Sequence, residues 1–164
     1  MAAEDLEPVL INQKSKIEEL NISFFRDAQL SHEDDETPDS QTETIANRFL
    51  KNLKPIFKSR NGLIKVRTFM PNVLNQDQVH EILPLLDPES LNTLFIRNVR
   101  GRFFGTLETF LVQKLVDLEH WKHLKSLCIM NFIVKVPIRR FLHLEDVYVC
   151  YNRITMDMVL EVKK

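Results

Sequence analysis

Apolar residues return along the chain in one six-residue pattern, apolar-x-x-apolar-x-apolar. It reads Ile17-Glu-Glu-Leu20-Asn-Ile22, Leu91-Asn-Thr-Leu94-Phe-Ile96, Leu124-Lys-Ser-Leu127-Cys-Ile129 and Leu144-Glu-Asp-Val147-Tyr-Val149. A fifth copy, Val66-Arg-Thr-Phe69-Met-Pro71, is degenerate, because proline takes its last apolar place. The second and third apolar positions lie two apart, so in an extended chain they share one face. The first lies three before the second, which calls for a bend as the strand begins. Five strands are therefore predicted, spaced irregularly.

Helical periods precede most of these strands. Residues 43–59 place Ile45, Phe49, Leu53, Ile56 and Phe57 on one stripe, with Pro55 expected to kink or end the helix near Lys54. Residues 76–86 carry Val79, Ile82, Leu83 and Leu86, with Asn75 and Gln78 in capping-box positions and Pro84 as a stop. Residues 107–121 carry Leu107, Phe110, Leu111, Leu115, Leu118 and Trp121, the strongest helical period in the chain. Thr155 is placed to cap a short terminal helix around Met158 and Val159. Helix and strand in alternation predict an α/β fold with a mainly parallel sheet. The hexad is the one leucine-rich repeats use, so an arc of stacked helix–strand units is expected, with one sheet face open.

Composition changes this picture little. At 164 residues with 44% apolar content, the chain is expected to form a single domain, residues 1–164. Net charge is −1, but acid is concentrated at Glu33, Asp34, Asp35, Glu36, Asp39 and Glu43. Residues 31–43 hold no aliphatic or aromatic side chain, so a disordered acidic loop is expected there. No segment approaches the ~20 apolar residues of a membrane span. The start, MAAEDLEPVL, is acidic where a secretory signal is basic, and there are two cysteines, Cys128 and Cys150. Together these suggest the cytoplasm or nucleus.

Chemistry is sparse. His120, His123 and Cys128 approach metal-ligand spacing around Trp121, but a fourth ligand is missing and the helix should end there, so no metal is expected. The stretch LEHWKHLKSLCI is read instead as a seam, with Trp121 plugging the junction of helix and sheet. Three glycines and no phosphate-cradling loop argue against a nucleotide cofactor, and no catalytic residues or other cofactor are expected. The chain is expected not to be an enzyme.

The residue between the last two apolar places of each hexad points away from the helices. These residues are Asn21, Met70, Phe95, Cys128 and Tyr148, flanked by Thr93, Arg97, Ser126, Met130, Asp146 and Cys150. Aromatic, methionine and arginine side chains are those protein interfaces favour. Met70, Phe95, Arg97, Cys128, Met130 and Tyr148 are the candidate partner-binding residues, with Phe95 and Tyr148 as anchors. An alternative is a single-stranded RNA module using the basic segment 97–104, where Arg97, Arg100 and Arg102 adjoin Phe103 and Phe104.

LEHWKHLKSLCI and IRRFLHLEDVYVCYNRITMDMVL together resemble the nematode FTH domain, the F-box-associated Fog-two homology domain. Glu119, Trp121, Lys122, Lys125, Ser126, Leu127, Phe141, Leu142, His143, Asn152, Ile154, Thr155 and Val159 fall on its pattern. His120 stands where that family usually has Gln. Residues 12–22 and 75–91 also look like its earlier segments. The resemblance implies a protein-interaction domain that selects substrates beside an F-box, which itself docks on a Skp-type adaptor of a cullin ubiquitin ligase. No F-box is found here, since the residues before Leu6 cannot form its three helices, so adaptor docking is not expected of these residues.

Overall fold

A computed structural model describes residues 14–24, 40–59, 62–99 and 107–162. Among them, six strands form one sheet: β1 (Ile17–Ser23), β2 (Val66–Val73), β3 (Thr93–Asn98), β4 (Glu108–Phe110), β5 (Ser126–Val134) and β6 (Asp146–Cys150). Every pairing between them is parallel, in the order β1-β2-β3-β5, with β4 and β6 both joined to β5. Ile133 is in register with Thr109 and with Cys150, so β4 and β6 flank β5 on opposite sides. β4 thus lies on β3's side and takes up the edge of β5 that β3 leaves when it ends at Asn98.

The predicted strands all form; in three of the hexads the first apolar residue lies in the turn before its strand, while Ile17 and Val66 already pair within β1 and β2. Leu91 and Leu124 are buried two residues ahead of β3 and β5. Backbone bonds align the strand starts. The Asn92 amide donates to Arg67, the Lys125 and Ser126 amides to Asn92, and the Glu145 amide to Lys125. Inward residues Val66, Phe69, Val73, Leu94, Ile96, Leu127, Ile129, Phe132 and Val134 belong to a single core with the helices. Pro71 lies in the middle of β2, and the β2–β3 register skips from Phe69 to Asn72 around it, as expected for a residue without an amide proton.

The helices are α1 (Ser40–Lys58), α2 (Gln76–Ile82), α3 (Val112–Val116), α4 (His120–His123) and α5 (Met156–Val162). α1 continues through Pro55 rather than ending near Lys54. The ring removes one backbone bond and costs about 3 kcal/mol, but Leu53, Ile56 and Phe57 are buried on both sides of it and hold the helix together. The buried stripe is Ala46, Leu50, Leu53 and Phe57; Ile45, expected within it, is 67% exposed. Of the acidic window 31–43, residues 31–39 lie outside the described residues and 40–43 form the first turn of α1.

α2 is capped by Asn75, whose side chain accepts from the Asp77 and Gln78 amides. Gln78 does not close the expected box onto Asn75. Its oxygen accepts from the Leu74 amide (2.9 Å) and its amide donates to Asn47 in α1 (3.2 Å), tying two helices to the end of β2. Pro84 then turns the chain into a 3-10 segment, Leu83–Leu85. Thr155 caps α5 as expected, accepting from the Met158 amide at 3.4 Å.

The long helix expected over 107–121 does not form. Residues 108–110 are strand β4, and two short helices follow. The reason is tertiary: β5 extends four residues past the end of its pairing with β3, and the free edge at Phe132–Val134 recruits Glu108–Phe110. Phe110 becomes buried against Phe132 in an edge-to-face pair 5.1 Å apart, while Leu107 and Leu111 face solvent. Between β5 and β6 the connection holds only a 3-10 segment, Ile138–Phe141, so a helix does not precede every strand.

Candidate partner-binding face

Strand alternation sends the side chains opposite the core onto the other sheet face. The register places Asn21 beside Met70, Phe95 beside Cys128 and Cys128 beside Tyr148. Because Phe69 is level with Leu94, Met70 and Phe95 stand next to each other in the same row. One row therefore runs Asn21–Met70–Phe95–Cys128–Tyr148 across five strands. A row on one side runs Thr68–Thr93–Ser126–Asp146, and on the other Asn72–Arg97–Met130. All six candidate residues lie on this face and within these rows. Met70, Phe95, Arg97, Cys128 and Met130 are partly exposed, and Tyr148 at the edge is 57% exposed.

Arg97 and Phe95 are two apart in β3, and the guanidinium carbon lies 5.4 Å from the ring centroid. The Nη2 of Arg97 also approaches Met130 Sδ at 3.9 Å. Cys128 beneath them is a thiol pushed up in pKa by burial, more than the nearby Arg97 charge lowers it. The neutral, weakly nucleophilic thiol is the form this favours.

Asn72 also belongs to this face, although its sequence gives little sign of it. Its amide donates to Asn21 Oδ1 (3.2 Å) and Ser23 Oγ (2.8 Å), locking edge strand β1 to β2. The hexad of β2 stops at Pro71, so a reading by hexads ends one residue too soon. The available signal was the two-residue step from Met70.

The histidine cluster resolves as a seam. His120 is buried and its Nε2 donates to the Leu86 carbonyl at 2.9 Å; a carbonyl only accepts, so that nitrogen carries the proton. His123 is turned toward Glu119, 3.9 Å away. Trp121 packs on Phe141 (5.9 Å) and His143 (5.1 Å), and His143 Nε2 donates to the Trp121 carbonyl (3.0 Å). No group of three metal-ligating side chains gathers among the described residues. Arg100, Arg102, Phe103 and Phe104, the remainder of the basic segment, lie outside the described residues. No described helix is long and apolar enough to cross a membrane.

Comparison with known proteins adds a family. The FTH domain model matches residues 47–164, which takes in β2 through α5 but not the segment 12–22. Among curated proteins, the chain is similar to F-box A protein 224 of Caenorhabditis elegans, 29% identical over 120 residues. That alignment covers 73% of this chain and 29% of the relative, so the chain spans less than a third of that protein's length. No solved structure matches. The signature residues from Glu119 to Val159 lie inside the matched range, on the seam at Trp121, at the start of β5, in the turn that leads into β6, and after β6 into α5, and by that match the chain belongs to the FTH domain family.

Proposed function

We propose that the chain is a protein-interaction module that captures its partner on the outer sheet face, as the substrate-recognition part of an F-box protein would, and that it performs no catalysis of its own. The sheet would act as the inner surface of an arc of stacked units, in the manner of leucine-rich repeats. The observation that carries this reading is the row Met70–Phe95–Cys128–Tyr148. It sets two aromatic rings, a methionine and a neutral thiol side by side on one face, with Arg97 and Met130 next to them. Aromatic and arginine side chains dominate binding energy at protein interfaces. Kinship with an F-box protein supports the same role.

The test is the double variant Phe95→Asp/Tyr148→Asp, with Tyr148→Asp alone as the milder form. Both should keep the wild-type thermal unfolding curve and lose the proteins that the wild-type chain retains in affinity purification. Unchanged recovery, or collapse of the fold in both variants, would remove the face as a site. Steep salt dependence of binding to single-stranded RNA would instead assign the function to nucleic acid.

A further inference from the structure

The partner's chemistry can be narrowed by one residue, in an argument that rests on the reading just given. Arg97 sits in the middle of the outer face with no anion beside it among the described residues. Its contacts are the Phe95 ring and the Met130 sulfur, and its Nε–H is buried with no acceptor among the described residues. Arg67, the arginine of β2, is by contrast paired with Glu18 at 3.2 Å. A partly buried guanidinium with an unanswered donor is costly in isolation. Here its carbon lies over an aromatic ring and one terminal nitrogen rests on sulfur, so two contacts already hold the donor fork before any ligand arrives. Such a fork suits a planar carboxylate, which accepts two parallel hydrogen bonds.

The surroundings specify what accompanies that carboxylate. Beside Arg97 in register stand Asn72 and Met130, and the adjoining row is Met70, Phe95 and Cys128. The ligand must therefore bring one negative charge and apolar surface next to it. A nucleic-acid backbone fits poorly, because it brings a charge at every residue and needs several cations. Among the described residues this face offers one central arginine, with Asp146 at its far side. We propose that Arg97 receives an aspartate or glutamate side chain from an extended protein segment, whose flanking apolar side chains lie along Met70, Phe95 and Tyr148.

The experiment is selection of a displayed random heptapeptide library on the full chain, followed by fluorescence anisotropy on the enriched peptides. Enriched sequences should share an Asp or Glu next to an apolar residue. Exchange of that acid for its amide should weaken binding roughly tenfold to a hundredfold, the worth of a hydrogen bond to a charged group. Arg97→Gln should erase the difference between acid and amide, and Arg97→Lys, which keeps the charge without the fork, should restore only part of it. Circular dichroism of both variants should match the wild type. If enriched peptides lack an acid, or acid and amide bind alike, the carboxylate proposal fails. Should those same peptides still be lost in Phe95→Asp/Tyr148→Asp, the sheet face survives as the site. No enrichment at all would overturn both readings, and an Arg97-dependent preference for a ten-nucleotide uridine RNA would hand the face to nucleic acid.

Discussion

Truncating Phe110 separates the strand at 108–110 from the helix its sequence suggests. Phe110 is 1% exposed, with its ring 5.1 Å from Phe132 at an interplanar angle of 67° and 5.8 Å from His80. Loss of a buried phenyl group and the cavity it leaves costs about 3–5 kcal/mol. Leu107 and Leu111 are 36% and 46% exposed, so replacing either with alanine should cost no more than about 1 kcal/mol. On one amphipathic helix the three would line the same face and cost comparable amounts. Urea unfolding followed by the fluorescence of Trp121, the single tryptophan, gives the measurement. With a slope of about 2 kcal/mol per molar urea, Phe110→Ala should lower the midpoint by roughly 1.5–2.5 M. A double-mutant cycle with Phe132→Ala should show a coupling of about 0.5–1.5 kcal/mol, the worth of an edge-to-face pair. Leucine truncations as costly as Phe110→Ala, or zero coupling to Phe132, would refute the pairing of β4 with β5.

Three further outcomes follow from local geometry. Burial holds both His80 and His120 below the ordinary histidine range. They are neutral when folded and take up protons more readily when unfolded, so their contribution is complete above about pH 6.5 and is lost as pH falls from there toward the folded values. The slope is at most about 1.4 kcal/mol per pH unit for each; urea midpoints between pH 7.5 and 5 should fall, and should fall less in His120→Gln. Asn131 has φ of 61°, in the left-handed region, and its side-chain amide donates to the Asn98 carbonyl at 2.9 Å. Asn131→Ala should cost about 1–2 kcal/mol in backbone strain and Asn131→Gly should recover that part, as thermal unfolding will show. Gln78 is 2% exposed and is the acceptor for the Leu74 amide, so Gln78→Ala should destabilise by about 1–3 kcal/mol in the same assay.

Much of the sheet was legible because each hexad carries two independent constraints, a shared face and a bend at its start. Aligning hexads also aligns their outward residues, so the sequence alone places Phe95, Cys128 and Tyr148 as neighbours. What escaped was decided far away in sequence. Residues 108–110 are a strand because β5 outruns β3, and nothing within 107–121 records the length of β5. Pro55 reads as a helix stop, and only the burial of Ile56 and Phe57 beyond it shows why the helix goes on. Arg97 was legible as a residue of the sheet face and also as the start of a basic segment, 97–104. Its stacking on Phe95 depends on the strand continuing through Asn98, which the charge pattern does not reveal.

The uniformly parallel ladder also bears on how the chain reaches its native state. None of the described pairings is a hairpin, and contacts between adjacent strands join residues separated by 17 to 51 positions, as between Ile133 and Cys150 and between Asn21 and Asn72. Each strand must close a long loop before it gains a neighbour, so little order is rewarded early and refolding should be slow, in milliseconds to seconds. During synthesis β1 must wait for β2 to leave the ribosome before it can pair, with Leu20 and Ile22 unshielded in the meantime.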